Sequence, residues 1–112
     1  MKIRSIYTVP SKSVRRGTVA QWELFSEDEF LSNLNVFHAN IINPGMTLEP
    51  HQHENEEQMF FILSGVGIIK VGDDAQEVRE GDAIYLPPRL THTIRNTRTY
   101  PLRFLAIGAK IK

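Results

Sequence analysis

Short hydrophobic segments alternate with polar segments along this 112-residue chain. Several stretches predict β-strands, because each is short, apolar or alternating, and is bounded by turn-forming residues. The breaks between them are rich in Gly, Pro and Asp, and Gly72-Asp73-Asp74 is typical of a hairpin tip. The predicted strands are Thr18 to Phe25, Val36 to Ile42, Met59 to Leu63, Gly67 to Val71, Ala83 to Leu86, His92 to Asn96 and Leu102 to Ile107.

Little of the chain has a helical pattern. Residues 11–18 are polar and predict a loop, and Ser26, followed by three acidic residues, predicts one short helical turn. Short strands at regular spacing with almost no helix indicate an all-β sandwich or barrel. Neither a repeat nor a linker interrupts the pattern, so we expect a single domain over residues 1–112.

The composition narrows the classes of partner. Lys and Arg together number 13, as do Asp and Glu, so no net charge attracts nucleic acid or an anionic membrane. The chain has no cysteine, which excludes thiolate ligands and disulfides and leaves histidine, carboxylate and amide groups. The first residues lack the apolar run of a signal peptide, and no stretch is long enough to span a bilayer. We therefore predict a cytoplasmic protein.

Three of the four histidines lie in two short segments that suit a metal site. His51 and His53 are two residues apart, so their side chains share a face if that stretch is extended. His92 lies about 40 residues further on and joins them only if the chain folds back over itself, as in a β-barrel. The pattern predicts one divalent cation with open coordination positions.

The residues around these histidines resemble the two motifs of the cupin superfamily. The first runs from Gly45 through His51-Gln-His53 and Gln58 to Gly65, and the second from Gly81 through Pro87 and His92 to Asn96. The resemblance implies a double-stranded β-helix, or jelly-roll barrel, with its core at about residues 34–108 and N-terminal strands within residues 1–33. It further implies a homodimer and a metal in the barrel mouth, held by His51, His53, Gln58 and His92.

The fourth ligand departs from the usual motif, in which an acid stands at the position of Gln58. Glu57 fits a looser spacing after His53, but the fixed count back from Gly65 favours Gln58, and both remain open. A glutamate ligand would cancel one unit of the charge of the metal ion, whereas the glutamine amide cancels none. One unit charge interacts with an anion at ~4 Å by about 4 kcal/mol at an effective dielectric near 20. The open positions are therefore expected to favour an anion.

Other residues have less specific patterns. Arg89 stands where the motif commonly has glycine, and is either a solvated loop residue or a cation that pairs with an anionic ligand. Tyr85 and Phe60 are either core residues or part of the ligand-binding wall. His38 matches no motif position and is expected to be structural. Glu54, Glu56 and Glu57 are expected to form a solvated acidic turn, although one of them can support a ligand imidazole.

Several metals and activities suit such a site. Three nitrogens and one oxygen suit manganese, iron, nickel and zinc, and a closer resemblance to small oxalate decarboxylase-like cupins implies manganese. We expect a small anionic ligand, a carboxylate or a sugar acid, bound at the metal. The protein is then an enzyme of the decarboxylase, lyase, isomerase or dioxygenase type, with the metal as Lewis acid. The alternative is a module that binds or senses such a ligand without turnover.

Overall fold

The computed structural model describes residues 1–15 and 17–111, in which β-strands build two antiparallel sheets. The strands are β1 (Lys12–Val14), β2 (Val19–Phe25), β3 (Leu34–Ile42), β4 (Thr47–His51), β5 (Glu56–Ser64), β6 (Val66–Val71), β7 (Asp74–Arg79), β8 (Ala83–Leu86), β9 (His92–Asn96) and β10 (Leu102–Lys110). The six-stranded sheet has the order β1-β2-β3-β10-β5-β8, and the four-stranded sheet has the order β4-β9-β6-β7. The all-β barrel architecture predicted from the sequence is confirmed.

Every predicted strand is present, and β8 and β9 have the predicted bounds. The short helical turn is also present, as a 3-10 turn at Glu27–Glu29, and Val71 pairs with Asp74 across the predicted hairpin tip. The predicted loop at residues 11–18 is wrong in part, because Lys12–Val14 pairs with β2. This strand and the outer strand β7 are mostly exposed, so burial imposes no apolar pattern on them.

The core lies between the sheets, where alternate residues of each strand point inward. Along β5, the inward residues Gln58, Phe60 and Ile62 are 8%, 3% and 0% exposed. Burying a large apolar side chain contributes about 1.5–3 kcal/mol, so this cluster is the main source of stability. Its members are Val19, Ile42, Leu48, Phe60, Ile62, Ile69, Val78, Leu86, Ile94, Leu102, Phe104 and Ala106.

Two motif residues have structural roles at the turns. Gly65, between β5 and β6, has φ +93°, and a Cβ there would lie 2.7 Å from the Pro101 carbonyl oxygen. The buried Asn96 donates from Nδ2 to the carbonyl oxygens of Ile42 (2.9 Å) and Tyr100 (2.7 Å). These contacts join the end of β9 to the end of β3, so Asn96 stabilises the barrel.

Among the described residues, no helix is long and apolar enough to cross a membrane.

Candidate metal centre

The fold brings three histidines from two segments together. His51 ends β4 and His92 begins β9, and the two residues are paired across the sheet, while His53 follows in the next loop. One ring nitrogen of each histidine lies within 4.8 Å of the others. The ring centroids of His51 and His92 are 4.1 Å apart, and those of His51 and His53 are 5.1 Å apart. The reversal of the chain expected from the sequence is therefore present.

Each of these rings also contacts the surrounding protein. His51 donates from Nδ1 to the Glu49 carbonyl oxygen at 3.0 Å, and Nδ1 of His53 lies 3.9 Å from a carboxylate oxygen of Glu56. His92 hydrogen-bonds to the backbone of Leu90. Such partners orient the ring and leave the other nitrogen for a metal. The Nε2 atoms of His53 and His92 are buried without a partner among the described residues.

The environment of two of these imidazoles, those of His51 and His92, favours their neutral form. Burial lowers the pKa of His51 below its usual range and lowers the pKa of His92 to about 3, with repulsion from His51 and His53 adding to the effect at His92. A neutral imidazole offers a lone pair, so a metal arriving near neutral pH does not have to displace a proton from these rings.

Strand parity separates the two candidates for a fourth ligand. Gln58 points inward and lines the same cavity as His51 and His53. Glu57 lies on the other face of β5, where it accepts a 2.9 Å hydrogen bond from the Tyr85 hydroxyl. The geometry favours Gln58. Its Nε2 donates to Glu56, which leaves the amide oxygen as the atom able to bind a cation.

Glu56 links several groups of this centre and does not belong to a solvated turn. Its carboxylate accepts hydrogen bonds from Gln58 and from Nδ2 of Asn35 (3.1 Å), and it lies beside His53. Gly108 makes room for it, since a Cβ there would lie 2.8 Å from Oε1 of Glu56. The sequence could have indicated this role, because Glu56 precedes Gln58 by two residues and residues two apart in a strand lie on the same face. Glu56 also supplies a negative charge that the ligand set itself lacks.

A cavity of about 190 Å³ adjoins the histidines. An engineered apolar cavity of about 150 Å³ holds benzene, so this one suits a small molecule and not a polymer. Arg15, from the turn after β1, brings a positive charge to its wall, and sequence reasoning missed it because polar loop residues carry no pattern. The lining is Val14, Arg15, Val19, Gln21, Val36, His38, Asn40, Leu48, His51, His53, Glu56, Gln58, Phe60, Phe104 and Ala106.

The three residues predicted to contact a ligand lie in different places. Phe60 lines the cavity, with its ring centroid 6.0 Å from that of His92. Tyr85 is 54% exposed and lies outside the cavity wall, hydrogen-bonded to Glu57. Its bond to Glu57 raises the pKa of Tyr85. The structure therefore does not bring Tyr85 to the histidines.

Arg89 also lies outside the wall of this cavity, and supports the loop of His53. It adopts φ +64°, which explains the glycine that the motif commonly has here. Its backbone N–H donates to the His53 carbonyl oxygen (2.7 Å), and Nη1 donates to the Glu54 carbonyl oxygen (3.2 Å). This placement favours a bracing role over direct pairing with a ligand.

The donor set fits a divalent first-row metal. Three imidazole nitrogens and an amide oxygen suit ions from manganese to zinc. Donors about 2.1 Å from such an ion lie about 3.4 Å from each other in a tetrahedral site, and the histidine nitrogens, within 4.8 Å of one another, are near the spacing that one shared ion requires. A carboxylate next to the ligand shell, here Glu56, is a usual feature of such sites.

Comparison with known proteins gives three informative relatives. The family model described as "Cupin domain" matches residues 40–108. An uncharacterised protein of Methanocaldococcus jannaschii is 38% identical over 55 residues, and the match covers 49% of this chain and 44% of that protein, less than half of its length. The oxalate-binding protein of Thermotoga maritima is 27% identical over 92 residues, 82% of this chain and 76% of that one. A mannose-1-phosphate guanylyltransferase of Salmonella muenchen is 24% identical over 66 residues, 59% of this chain and 14% of that enzyme.

Solved structures show the same architecture. A predicted oxalate decarboxylase from Thermotoga maritima superposes with a TM-score of 0.91 at 24% identity, covering 99% of this chain and 100% of that one. KdgF from Halomonas sp. superposes with a TM-score of 0.80 at 14% identity, covering 98% and 94%. At these identities the likeness establishes the fold alone. Because the family model matches more than half of the chain, the protein belongs to the cupin family.

Proposed function

We propose that this cupin holds one divalent metal ion through His51, His53, His92 and Gln58, and binds a small carboxylate or sugar acid at it. The observation that carries the proposal is the convergence of three histidine nitrogens beside a small cavity, which His51 and His53 line. Manganese is the expected ion, with iron, zinc and nickel as alternatives. Four protein ligands leave positions for the oxygens of a ligand on a six-coordinate ion.

The charge around the cavity supports an anionic ligand. The proposed ligand set is neutral, so a bound dication keeps its charge except for the contribution of Glu56. Arg15 adds a further positive charge at the wall. A relative with 27% identity is named an oxalate-binding protein, which is the same chemical class.

If the protein is an enzyme, we propose that it is a decarboxylase, lyase, isomerase or dioxygenase. A bound metal supplies Lewis acidity, which polarises a carbonyl or carboxylate oxygen. The chain contributes the rest: Phe60, Leu48 and Val36 exclude water from one side of the cavity, and Glu56 holds the Gln58 amide in place. The second candidate is binding without turnover, which the name of the Thermotoga maritima relative favours.

A metal analysis combined with calorimetry tests the proposal. Protein purified without added metal is expected to contain about one divalent ion per chain, and to bind oxalate or a uronic acid. The matched variant is Gln58→Glu, which adds one negative charge at the same place; it should hold metal more tightly and bind carboxylates more weakly. Unchanged affinity of Gln58→Glu for every carboxylate argues against the electrostatic basis of the proposal.

Turnover separates the two candidates. The metal-loaded protein is incubated with each acid that binds, and the products are identified by mass spectrometry. A product that forms with the wild type and not with a folded His92→Ala variant supports an enzyme, whereas binding with no product supports the sensing module.

We also propose a homodimer formed through the outer face of the six-stranded sheet. On that face, Met59, Phe61 and Leu63 are 51%, 43% and 41% exposed. Cross-strand neighbours Leu105 and Ile107 continue the apolar surface. Contiguous exposed apolar surface of this kind marks protein interfaces. The single domain over residues 1–112 and a cytoplasmic location remain predictions.

A further inference from the structure

A second set of polar residues lines the cavity. It belongs to the six-stranded sheet, whereas His51 and His92 belong to the four-stranded sheet. Gln21, on β2, and His38 and Asn40, on β3, all line it. Gln21 and His38 precede the segment 40–108 that matches the family model. Two of the three residues of this wall therefore lie outside the family match, and Asn40 is its first residue. Neither the proposed metal site nor the core packing uses this wall.

Asn40 has an unused hydrogen-bond donor at this wall. The residue is 4% exposed, and its Oδ1 accepts a hydrogen bond from Nε2 of Gln21 at 3.1 Å. Within residues 1–15 and 17–111, its Nδ2 donates to no protein atom. Its Nδ2 is not fully enclosed by protein atoms and is open to the cavity that Asn40 lines. The amide is therefore positioned to donate to an oxygen of whatever occupies the cavity.

His38 makes the same wall polar without making it charged. It lies directly opposite Glu23 on β2, with its Nε2 3.5 Å from the Glu23 carboxylate. Burial lowers the pKa of His38, and the attraction of Glu23 opposes this. A neutral imidazole whose Nε2–H faces a carboxylate keeps a lone pair on Nδ1, which can accept a hydrogen bond from a hydroxyl group.

We infer that Asn40, with Gln21 and His38 beside it, binds an acceptor oxygen at the end of the ligand that is remote from the histidines. The inference rests on the proposed function for the other end. The ligand is then a small organic acid with oxygen groups at both ends, such as a short dicarboxylate. Oxalate chelates a metal through both of its carboxylates and has no carboxylate left over for this wall, whereas a longer dicarboxylate has one.

A chain-length series tests this assignment. Metal-loaded wild type, Asn40→Leu and Asn40→Asp are titrated by calorimetry with oxalate, malonate, succinate and glutarate. Asn40→Leu removes the amide, whereas Asn40→Asp keeps the shape and the acceptor for Gln21 but replaces the donor by a negative charge. Gln76→Leu, which loses an exposed amide on β7, is the matched control. Circular dichroism and the metal content establish that each variant is folded and loaded.

The expected result is selective. Asn40→Leu and Asn40→Asp should lose about tenfold or more of the affinity for succinate or glutarate, as for the loss of a hydrogen bond to a charged group. Asn40→Leu should change oxalate affinity less than about threefold, and Gln76→Leu should change none. The added charge of Asn40→Asp should weaken oxalate as well, so the selectivity is judged on Asn40→Leu. Equal losses for every acid in Asn40→Leu, no loss for any, or no binding of any acid by loaded wild type would overturn the inference.

Failure of the proposed function gives a different result. If the protein takes up no divalent metal, the metal site is wrong, and the same series is run on the metal-free protein. Succinate binding that is lost in Asn40→Leu still supports the role of Asn40, while an unchanged affinity, or no binding, overturns it.

Discussion

The two faces of strand β5 present different chemistry although their residues alternate along one stretch of chain. The inward face carries Glu56 and Gln58 beside the histidines and then Phe60 and Ile62 in the core. The outward face carries Glu57, and then Met59, Phe61 and Leu63, which are about half exposed. One strand therefore contributes to a polar site through its inner face and to an apolar surface through its outer face.

The difference shows that neighbouring residues can belong to independent functions. Because successive side chains of a strand point to opposite faces, Gln58 and Met59 are adjacent in sequence but have different surroundings. Changes on the inward face should affect metal and ligand and leave assembly unchanged. Changes on the outward face should do the reverse, and four predictions test this separation.

The largest effect is expected from Phe61→Glu on the outward face. If this face is the dimer interface, the change buries an unpaired carboxylate in each copy, which costs about 3–5 kcal/mol. The dissociation constant measured by analytical ultracentrifugation should rise at least about a thousandfold, with metal content unchanged. A dimer that persists at micromolar concentration would place the interface elsewhere.

The site that the inward face of β5 adjoins should make stability depend on pH, through His92 on β9. Since the pKa of His92 is about 3 in the folded protein and about 6.5 when unfolded, the unfolded state binds the extra proton between these values. Stability of the metal-free protein is then complete above about pH 6.5 and falls as the pH decreases toward about 3. Between pH 7.5 and 4.5 the free energy of unfolding should drop by about 2–3 kcal/mol, as measured by urea denaturation. His92→Gln should show a smaller drop, and an equally steep drop in that variant would assign the effect to other groups.

Gln58→Leu should weaken metal binding by about 10–100-fold, the range found when groups around a metal site are removed. Competition with a chelator of known affinity measures the loss. The control is the oligomeric state, which should remain that of the wild type, because residue 58 points into the barrel. Full metal affinity in Gln58→Leu would remove this amide from the ligand set, and Glu57→Gln would then be measured.

Gly108→Ala should have the smallest effect, a loss of metal affinity of a few-fold. The new Cβ would lie 2.8 Å from Oε1 of Glu56 and 3.1 Å from Oδ1 of Asn35, so it displaces the carboxylate that holds Gln58. Since metal-site partners are worth about 10–100-fold when they are removed, Glu56→Gln should give a larger loss than this displacement. A loss in Gly108→Ala without one in Glu56→Gln would show that backbone strain, and not Glu56, is responsible.

Much of this protein follows from the local pattern of its sequence. Apolar runs between turn residues predicted the buried strands, since burial on one or both faces imposes a period of two or a short apolar run. The spacing of His51, His53 and His92, read with the flanking glycines, predicted a shared site and the family. Three strands were missed, Lys12–Val14, Thr47–His51 and Asp74–Arg79. Each has at most one buried residue, so burial leaves no such pattern in its sequence.

Tertiary structure alone decided what surrounds the site. The chain determined by itself that three imidazoles meet, because two of them are neighbours on the chain and the barrel brings back the third. It did not show that Glu56 holds Gln58, that Arg89 braces His53, or that Asn40 directs an unused amide at the same cavity. Except for Glu56, these groups come from segments distant in sequence or from the opposite sheet, and their contacts depend on strand order and on closure of the two sheets. Local periodicity specifies which face a side chain occupies, whereas only the packed barrel determines what that face meets.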